Sequence, residues 1–329
     1  MRVLAVTNMY PTSDDPGFGA FVADQMDWVA RGGVDVAIEF IDGRDSRGAY
    51  FRGLAHVRRR AAGSGFDLVH AHYGLVGFLA SFQPLPLVVS FCGDDLLGTP
   101  DGARGITPMS RLQRALSRYA ARHAQEIVCK SDQLRDSLPR QRDRARTHVL
   151  PNGVDTTRFR PGERSAARQR LGLHPSELLV LFPHTPGVAR KRLDRAQAAV
   201  AALARRGTVA RLWVVQGVPH ARMPDYYQAA DCLMLTSEQE GSPNVVKEAL
   251  CCDLPVVSVD VGDVRRWIEA SSGSVLVAPE PEAIADGLAR VLTRRAPPNG
   301  DRVREQLSAS RITQQLISVY QSAIERARD

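Results

Sequence analysis

Short apolar runs rich in Val, Leu and Ile alternate along the whole chain with longer stretches in which apolar residues recur at three- and four-residue steps. The runs read as strands buried on both faces, the longer stretches as amphipathic helices. In the first half the pattern predicts strands over 2–7, 34–40, 67–71, 87–91 and 126–129, with helices over 18–31, 110–123 and 133–138. A turn-rich segment, Pro151-Asn152-Gly153-Val154-Asp155 through Pro161-Gly162, interrupts the alternation. It then restarts, with strands over 178–182, 211–215, 231–236, 255–259 and 274–277 and helices over 191–205, 224–230, 244–252, 281–292 and 303–326. Strand–helix alternation of this kind specifies parallel sheets covered on both faces. The expected fold is therefore α/β, with two doubly wound Rossmann-like domains. Ligands bind such sheets beyond the carboxyl ends of the strands, so the two domains are expected to face a cleft.

Composition adds limits. The 329 residues are 44% hydrophobic and 24% charged, which suits a globular two-domain protein and excludes a disordered one. The longest apolar stretch, 73–82, is far short of a bilayer span. The first seven residues run directly into a strand pattern without the apolar region of a signal peptide. A cytoplasmic location is expected. Cys92, Cys129, Cys232, Cys251 and Cys252 are odd in number and show no C-x-x-C spacing, which points to reduced, buried thiols and away from zinc. Net charge is +7, and the only lysines are Lys130, Lys191 and Lys247. The arginine-rich surplus is spread over both halves, with no basic tail to suggest nucleic acid. Such a charge leaves an anionic small molecule or a membrane surface open as the partner.

The most informative stretch is Glu240-Gly241-Ser242-Pro243-Asn244-Val245-Val246-Lys247-Glu248. It follows a predicted strand and opens a predicted helix, with Ser242 expected as N-cap and Pro243 as the first helical residue. A helix start offers free N–H groups and partial positive charge to a phosphate. Carboxylates before and within that helix can accept hydroxyls on either side of the phosphate. A nucleotide-sugar, with ribose, diphosphate and sugar in line, has that layout.

Glu240 and Glu248, followed by Ala249-Leu250 and Leu254-Pro255-Val256-Val257, resemble the E-x7-E segment of the family 4 retaining glycosyltransferases, which have the GT-B fold. Pro151-Asn152-Gly153-Val154-Asp155 with Phe159 and Pro161 resembles the family's interdomain segment. The stretch from Asp67 to His72 resembles a frequent first-domain strand, and Pro11 through Gly17 and Gly19 the loop that approaches donor phosphates. The Gly-Ser-Pro-Asn-Val-Val-Lys-Glu version is similar to enzymes of cell-surface polysaccharides such as teichuronic acid. The resemblance implies an acceptor-side domain at 1–158, a compact nucleotide-sugar domain at 159–305 and a helix at 306–329 that packs back on the first.

It also implies roles. Glu240 would bind hydroxyls of the transferred hexose and Glu248 those of the ribose. Backbone groups of Gly241, Ser242, Asn244 and Val245 would hold sugar and diphosphate, with Gly17 and Gly19 approaching the phosphates. Lys191, beside Arg190, would clamp the leaving diphosphate. His72 would line the site. Reaction would proceed by front-face displacement, without metal or other cofactor. The acceptor would be a glycan or polyprenyl-linked intermediate of polysaccharide synthesis.

Three departures stand out. The family's Arg about six residues before the Lys falls at Thr185 here. Cys92 occupies the place of a frequent His, where a buried small residue is expected. Only 218–225 separate the stretches around Gly217 and Tyr226, so the second domain is expected to lack one helix–strand unit. Alternatives are a nucleotide-sugar epimerase of the same architecture and a nucleic-acid-binding Rossmann protein. The epimerase would release free nucleotide-sugar without an acceptor, and no stacking-aromatic motif supports the nucleic-acid binder. Finally, Arg111, Arg114, Arg118 and Arg122 form a basic stripe at helical spacing beside Leu112, Ala115, Leu116 and Tyr119, and Arg52 with Arg58, Arg59 and Arg60 forms a second basic cluster. Both suit peripheral docking at the inner face of a membrane.

Overall fold

A computed structural model describes residues 1–44, 46, 48–63, 65–99, 105–183, 187–294 and 297–328. They form two units, 1–153 with 309–329 and 154–308. In the first, chain order is β1 (Arg2–Thr7), α1 (Ala20–Arg31), β2 (Asp35–Phe40), α2 (Gly48–Gly63), β3 (Leu68–His72), α3 (Gly74–Ala80), β4 (Leu87–Phe91), α4 (Asp94–Leu97), α5 (Pro108–His123), β5 (Glu126–Cys129), α6 (Asp132–Asp136), α7 (Gln141–Ala145) and β6 (Thr147–Val149). The second unit holds α8 (Arg164–Arg170), β7 (Leu179–Pro183), a 3-10 turn (Ala189–Lys191), α9 (Leu193–Arg205), β8 (Arg211–Val215), a second 3-10 turn (His220–Arg222), α10 (Met223–Ala229) and β9 (Cys232–Leu235). It continues with α11 (Asn244–Cys251), β10 (Val256–Val259), α12 (Val264–Glu269), β11 (Val275–Val277), α13 (Pro281–Leu292) and α14 (Asp301–Leu307). The last helix, α15 (Ala309–Arg326), belongs to the first unit.

Both sheets are parallel, six strands in the order β2-β1-β3-β4-β5-β6 and five in the order β11-β10-β9-β7-β8. Alternate residues of each central strand enter opposite cores. Val69, Ala71, Val89 and Phe91 pack on one side of the first sheet, and Leu68 and Val88 on the other with Val22, Met26, Leu316 and Tyr320. This burial on both faces is why these strands read as continuous apolar runs. Pairing of Thr7 with His72 and of His72 with Ser90 gathers polar side chains at the carboxyl ends of β1, β3 and β4. In the second sheet Leu181, Leu233 and Val256 face one core, and Val180, Cys232 and Val257 the other.

Several expectations are corrected. The single helix expected over 303–326 is two, because Ser308 adopts ψ 135° and bridges Val154 in strand fashion. The helix expected over 191–205 begins at Leu193, and Lys191 closes the preceding 3-10 turn. The apolar stretch 73–82 contains α3, a helix too short for its period to register. Of the stripe Leu112, Ala115, Leu116, Tyr119, the Tyr119 ring packs 5.3 Å from that of Phe78 but Ala115 is exposed, so the stripe is not the fully buried face of α5. Its buried face is Ser110, Ser117, Ala120 and Ala121, and Leu112 is 55% exposed. Small residues win there because α3 approaches closely: a Cβ on Gly74 would collide with Ser117 Oγ, and one on Gly77 would lie 3.1 Å from Ala120 Cβ. Arg114 leaves the basic stripe, its Nε donating to the Leu96 carbonyl at 2.9 Å. All five cysteines are free, and four are buried. Among the described residues no helix is long and apolar enough to cross a membrane.

Candidate functional site

The E-x7-E segment leaves β9 and enters α11 in the second unit. Helix α11 starts at Asn244 with Pro243 in the N-cap position and no side-chain cap, so Ser242 is not the cap. Instead Ser242 Oγ donates to Asp263 Oδ2 at 2.7 Å and accepts from the fully buried Lys247 Nζ at 3.0 Å. Trp267 Nε1 donates to the same Asp263 oxygen at 2.7 Å. Gly262, at φ +59°, brings its own loop against this one, where a Cβ would lie 2.8 Å from the Gly241 carbonyl. The turn before the helix is thus fixed by tertiary contacts of its Ser242 side chain and Gly241 backbone.

Glu240 is 9% exposed and takes two cations. Lys191 Nζ lies 2.5 Å from Oε1, and Arg190 Nη1 3.1 Å from Oε2. Burial raises the Glu240 pKa, but the charges of Lys191 and Arg190 outweigh it and hold the carboxyl below its ordinary value. The contact is built by two loops pinned together. Glu238 N donates to the Arg190 carbonyl at 2.9 Å, and Thr236 Oγ1 to the Lys191 carbonyl at 2.9 Å. Arg192, with φ +55°, turns the chain from the 3-10 turn into α9. Thr185, the place of the expected Arg, lies outside the described residues.

Glu248 lies in the second turn of α11 and is 6% exposed. Tyr227 Oη donates to Oε2 at 2.8 Å, and His220 Nε2 to Oε1 at 2.8 Å. The Phe159 ring packs 5.1 Å from that of His220 and 6.0 Å from that of Tyr227. His220 and Tyr227 carried no motif signal. His220 stands in the shortened segment after β8, and Tyr227 reads from sequence as an ordinary apolar position of a helix.

The remaining expected site residues lie in the first unit. Gly19 caps α1 at φ +69°, where a Cβ would collide with the Met9 and Tyr10 backbone, so no other residue fits. Gly17 is exposed, and a Cβ there would meet only Asp15 Oδ1, at 3.9 Å. His72 ends β3 fully buried, with neither ring nitrogen hydrogen-bonded among the described residues. Burial, and then the charge of Lys130, push its pKa down to about 3. The neighbouring His70 is occupied on both sides, by Tyr320 Oη at 2.7 Å and Ser90 Oγ at 2.8 Å. Cys92 is half-buried, and burial pushes its thiol up, away from nucleophilic character. Asp95 accepts N–H groups of Gly74, Cys92 and Gly93, fixing the turn after β4. Lys130, buried to 1% and without a hydrogen-bond partner among the described residues, is a polar group here that no sequence motif marked.

The model of Glycosyltransferase Family 4 matches residues 3–158, and that of Glycosyl transferases group 1 residues 188–294. A D-inositol 3-phosphate glycosyltransferase of Saccharomonospora viridis is 30% identical over 305 residues, covering 79% of this chain and 70% of that protein. The glycosyltransferase TuaC of Bacillus subtilis, named for teichuronic acid biosynthesis, is 24% identical over 354 residues, covering 88% and 89%. The match to the longer D-inositol 3-phosphate glycosyltransferase of Rhodococcus opacus spans 60% of its length. Among solved structures, sucrose-phosphate synthase of Thermosynechococcus elongatus superposes with a TM-score of 0.76 at 19% identity over 98% of both chains. HepE of Anabaena, solved in complex with UDP and glucose, superposes with a TM-score of 0.71 at 18% identity over 98% and 100%. Fold, E-x7-E segment and relatives agree: this chain belongs to the glycosyltransferases of family 4 and group 1, on the GT-B fold.

Proposed function

We propose that the chain is a retaining hexosyltransferase that uses a nucleotide-sugar donor and a lipid-linked acceptor of cell-surface polysaccharide synthesis. The observation that carries this is the pair of buried carboxylates around the start of α11, one with two cations against it and the other held by the hydrogen-bond donors His220 and Tyr227. Glu240 accepts hydroxyls of the transferred sugar, and Glu248 those of the ribose. Gly241, Ser242, Asn244 and Val245 surround the diphosphate at the helix tip. An ammonium has three donors. With one on Glu240, Lys191 keeps two for phosphate oxygens, and Arg190 adds charge beside it.

In the reaction the bond from the anomeric carbon to the diphosphate oxygen breaks. The bond to the acceptor oxygen forms on the same face, and the acceptor's proton passes to the departing diphosphate. Lys191, Arg190 and the helix tip stabilise the charge that develops there. No metal is needed for that task. Gly17, exposed and without a side chain, is open to phosphate oxygens, while Gly19 fixes the turn behind it against the Met9 and Tyr10 backbone. His72, fully buried and neutral at ordinary pH, places a polar group at the carboxyl end of β3 without a competing charge.

Solved neighbours in complex with UDP and UDP-glucose support a nucleotide-sugar donor. The likeness to TuaC supports polysaccharide synthesis, and exposed arginines of the first unit support a peripheral site on the inner face of a membrane. The test is product analysis by NMR with each of UDP-, GDP- and ADP-glucose and a polyprenyl-diphosphate-sugar acceptor. A new glycosidic bond with the donor's α configuration is expected. A β-linked product, or free isomerised nucleotide-sugar without transfer, would contradict the proposal.

A further inference from the structure

We infer that His220 and Tyr227 are positioning residues that aim the Glu248 carboxylate, and through it set the preference for ribose over deoxyribose in the donor. The inference rests on the assignment of Glu248 to the ribose.

A carboxylate has two oxygens with two lone pairs each. At Glu248 one pair on Oε2 takes the Tyr227 hydroxyl and one on Oε1 takes His220 Nε2, both at 2.8 Å. Among the described residues one pair on each oxygen remains, which suits a vicinal diol. The two donors come from different elements, α10 and the 3-10 turn before it, so they hold the carboxylate by its opposite oxygens and fix its rotation.

The donors are themselves fixed. Arg158 Nη2 donates to His220 Nδ1 at 3.3 Å, which makes Nδ1 the acceptor and puts the imidazole hydrogen on Nε2, toward Glu248. Phe159 is 1% exposed and fills the space against both rings. Asp155 Oδ1 accepts from Thr157 N at 3.1 Å and from Arg158 N at 3.3 Å, which shapes the turn carrying these two residues. The turn-rich segment at the start of the second unit therefore acts on Glu248 through His220. His220 reaches this place because only a 3-10 turn joins β8 to α10.

The test uses the full chain and whichever of UDP, GDP and ADP binds most tightly, with its 2′-deoxy counterpart, by calorimetry. A hydrogen bond to a charged group contributes about tenfold or more to affinity. Wild type is expected to prefer the ribonucleotide by about that factor. His220→Ala and Tyr227→Phe should lower the preference to about threefold or less, with little change in affinity for the deoxy form. His220→Gln, which keeps an N–H at similar reach, should restore it. Unchanged preference in His220→Ala and Tyr227→Phe, with loss in Glu248→Gln, would overturn the positioning role while leaving the ribose assignment intact. An unchanged preference in Glu248→Gln, or no nucleotide binding by wild type, would overturn both. Equal weakening of both nucleotides in the variants would mark a merely structural role and also overturn the inference.

Discussion

Lys191 Nζ and Glu240 Oε1 lie 2.5 Å apart although 49 positions separate the residues in the chain. The contact joins the 3-10 turn after β7 to the loop after β9, and it leaves a buried carboxylate ionised beside two cations. Sugar hydroxyls need such an acceptor, and a departing diphosphate needs such cations. In the proposed reaction one cluster would serve both ends of the bond that breaks.

Glu240→Gln keeps the size of the side chain and removes its charge. Turnover should fall by roughly two to three orders of magnitude, the scale of losing one electrostatic partner of a transition state. Nucleoside diphosphate affinity should change no more than about threefold, since Lys191 and Arg190 remain. Steady-state kinetics and calorimetry on the same preparation check this. Retained turnover would remove Glu240 from the reaction.

Activity should persist in EDTA. The proposed diphosphate site carries Lys191, Arg190 and a helix start, and the chain has no Asp-x-Asp segment there. A rate that collapses on chelation and returns with Mn²⁺ would refute metal-independence.

His70 and His72 make stability depend on pH. Burial, then the charges of neighbouring groups, hold both imidazoles below their ordinary value, His72 at about 3. Unfolded, each titrates near about 6.5. Below that value the unfolded chain binds protons that the folded chain does not. Their contribution is therefore complete above about pH 6.5 and is lost as pH falls toward the folded values, by up to about 1.4 kcal/mol per pH unit for each group. Asp95, raised by burial to about 6, works the other way, because its contribution is lost as pH rises through that value. The measurement is the urea midpoint of wild type and His72→Gln between pH 5 and 7. The variant should lose less stability on acidification, and parallel curves would contradict this.

Docking on anionic lipid should involve the exposed Arg111 and Arg122 of α5, with Met109 and Leu112 beside them 57% and 55% exposed. Basic residues near such a surface contribute about 1 kcal/mol each. Co-sedimentation with phosphatidylserine vesicles should fall with added salt and in the double variant Arg111→Glu, Arg122→Glu. Arg114 is unsuitable for this test because its side chain holds the Leu96 carbonyl. Equal binding to neutral vesicles, or none to either, would count against docking.

The strands and the E-x7-E segment were legible in the sequence because both are local patterns. A strand such as β4 is buried along its whole length and so reads as an unbroken apolar run. Helix α3 was not legible, being too short for a period, and the buried face of α5 was hidden because small residues, not large ones, meet α3 there. The partners of the site residues were illegible for another reason. Tyr227 and His220 reach Glu248 from 21 and 28 positions away, and Asp263 reaches Ser242 from 21. Such contacts follow from sheet order, not from any neighbouring residue. Ser242 looked like a cap by type and spacing, and Asp263 took its hydroxyl instead.

The central claim is that the second unit binds a nucleoside diphosphate with Glu248 on the ribose. Calorimetric titration of wild type and Glu248→Ala with UDP, GDP and ADP tests it most directly. Wild type should bind at least one of them, and Glu248→Ala should lose about 1.5–3 kcal/mol of that binding, the contribution of hydrogen bonds to a charged group. Equal affinity in the two proteins, or no binding to wild type, would contradict it.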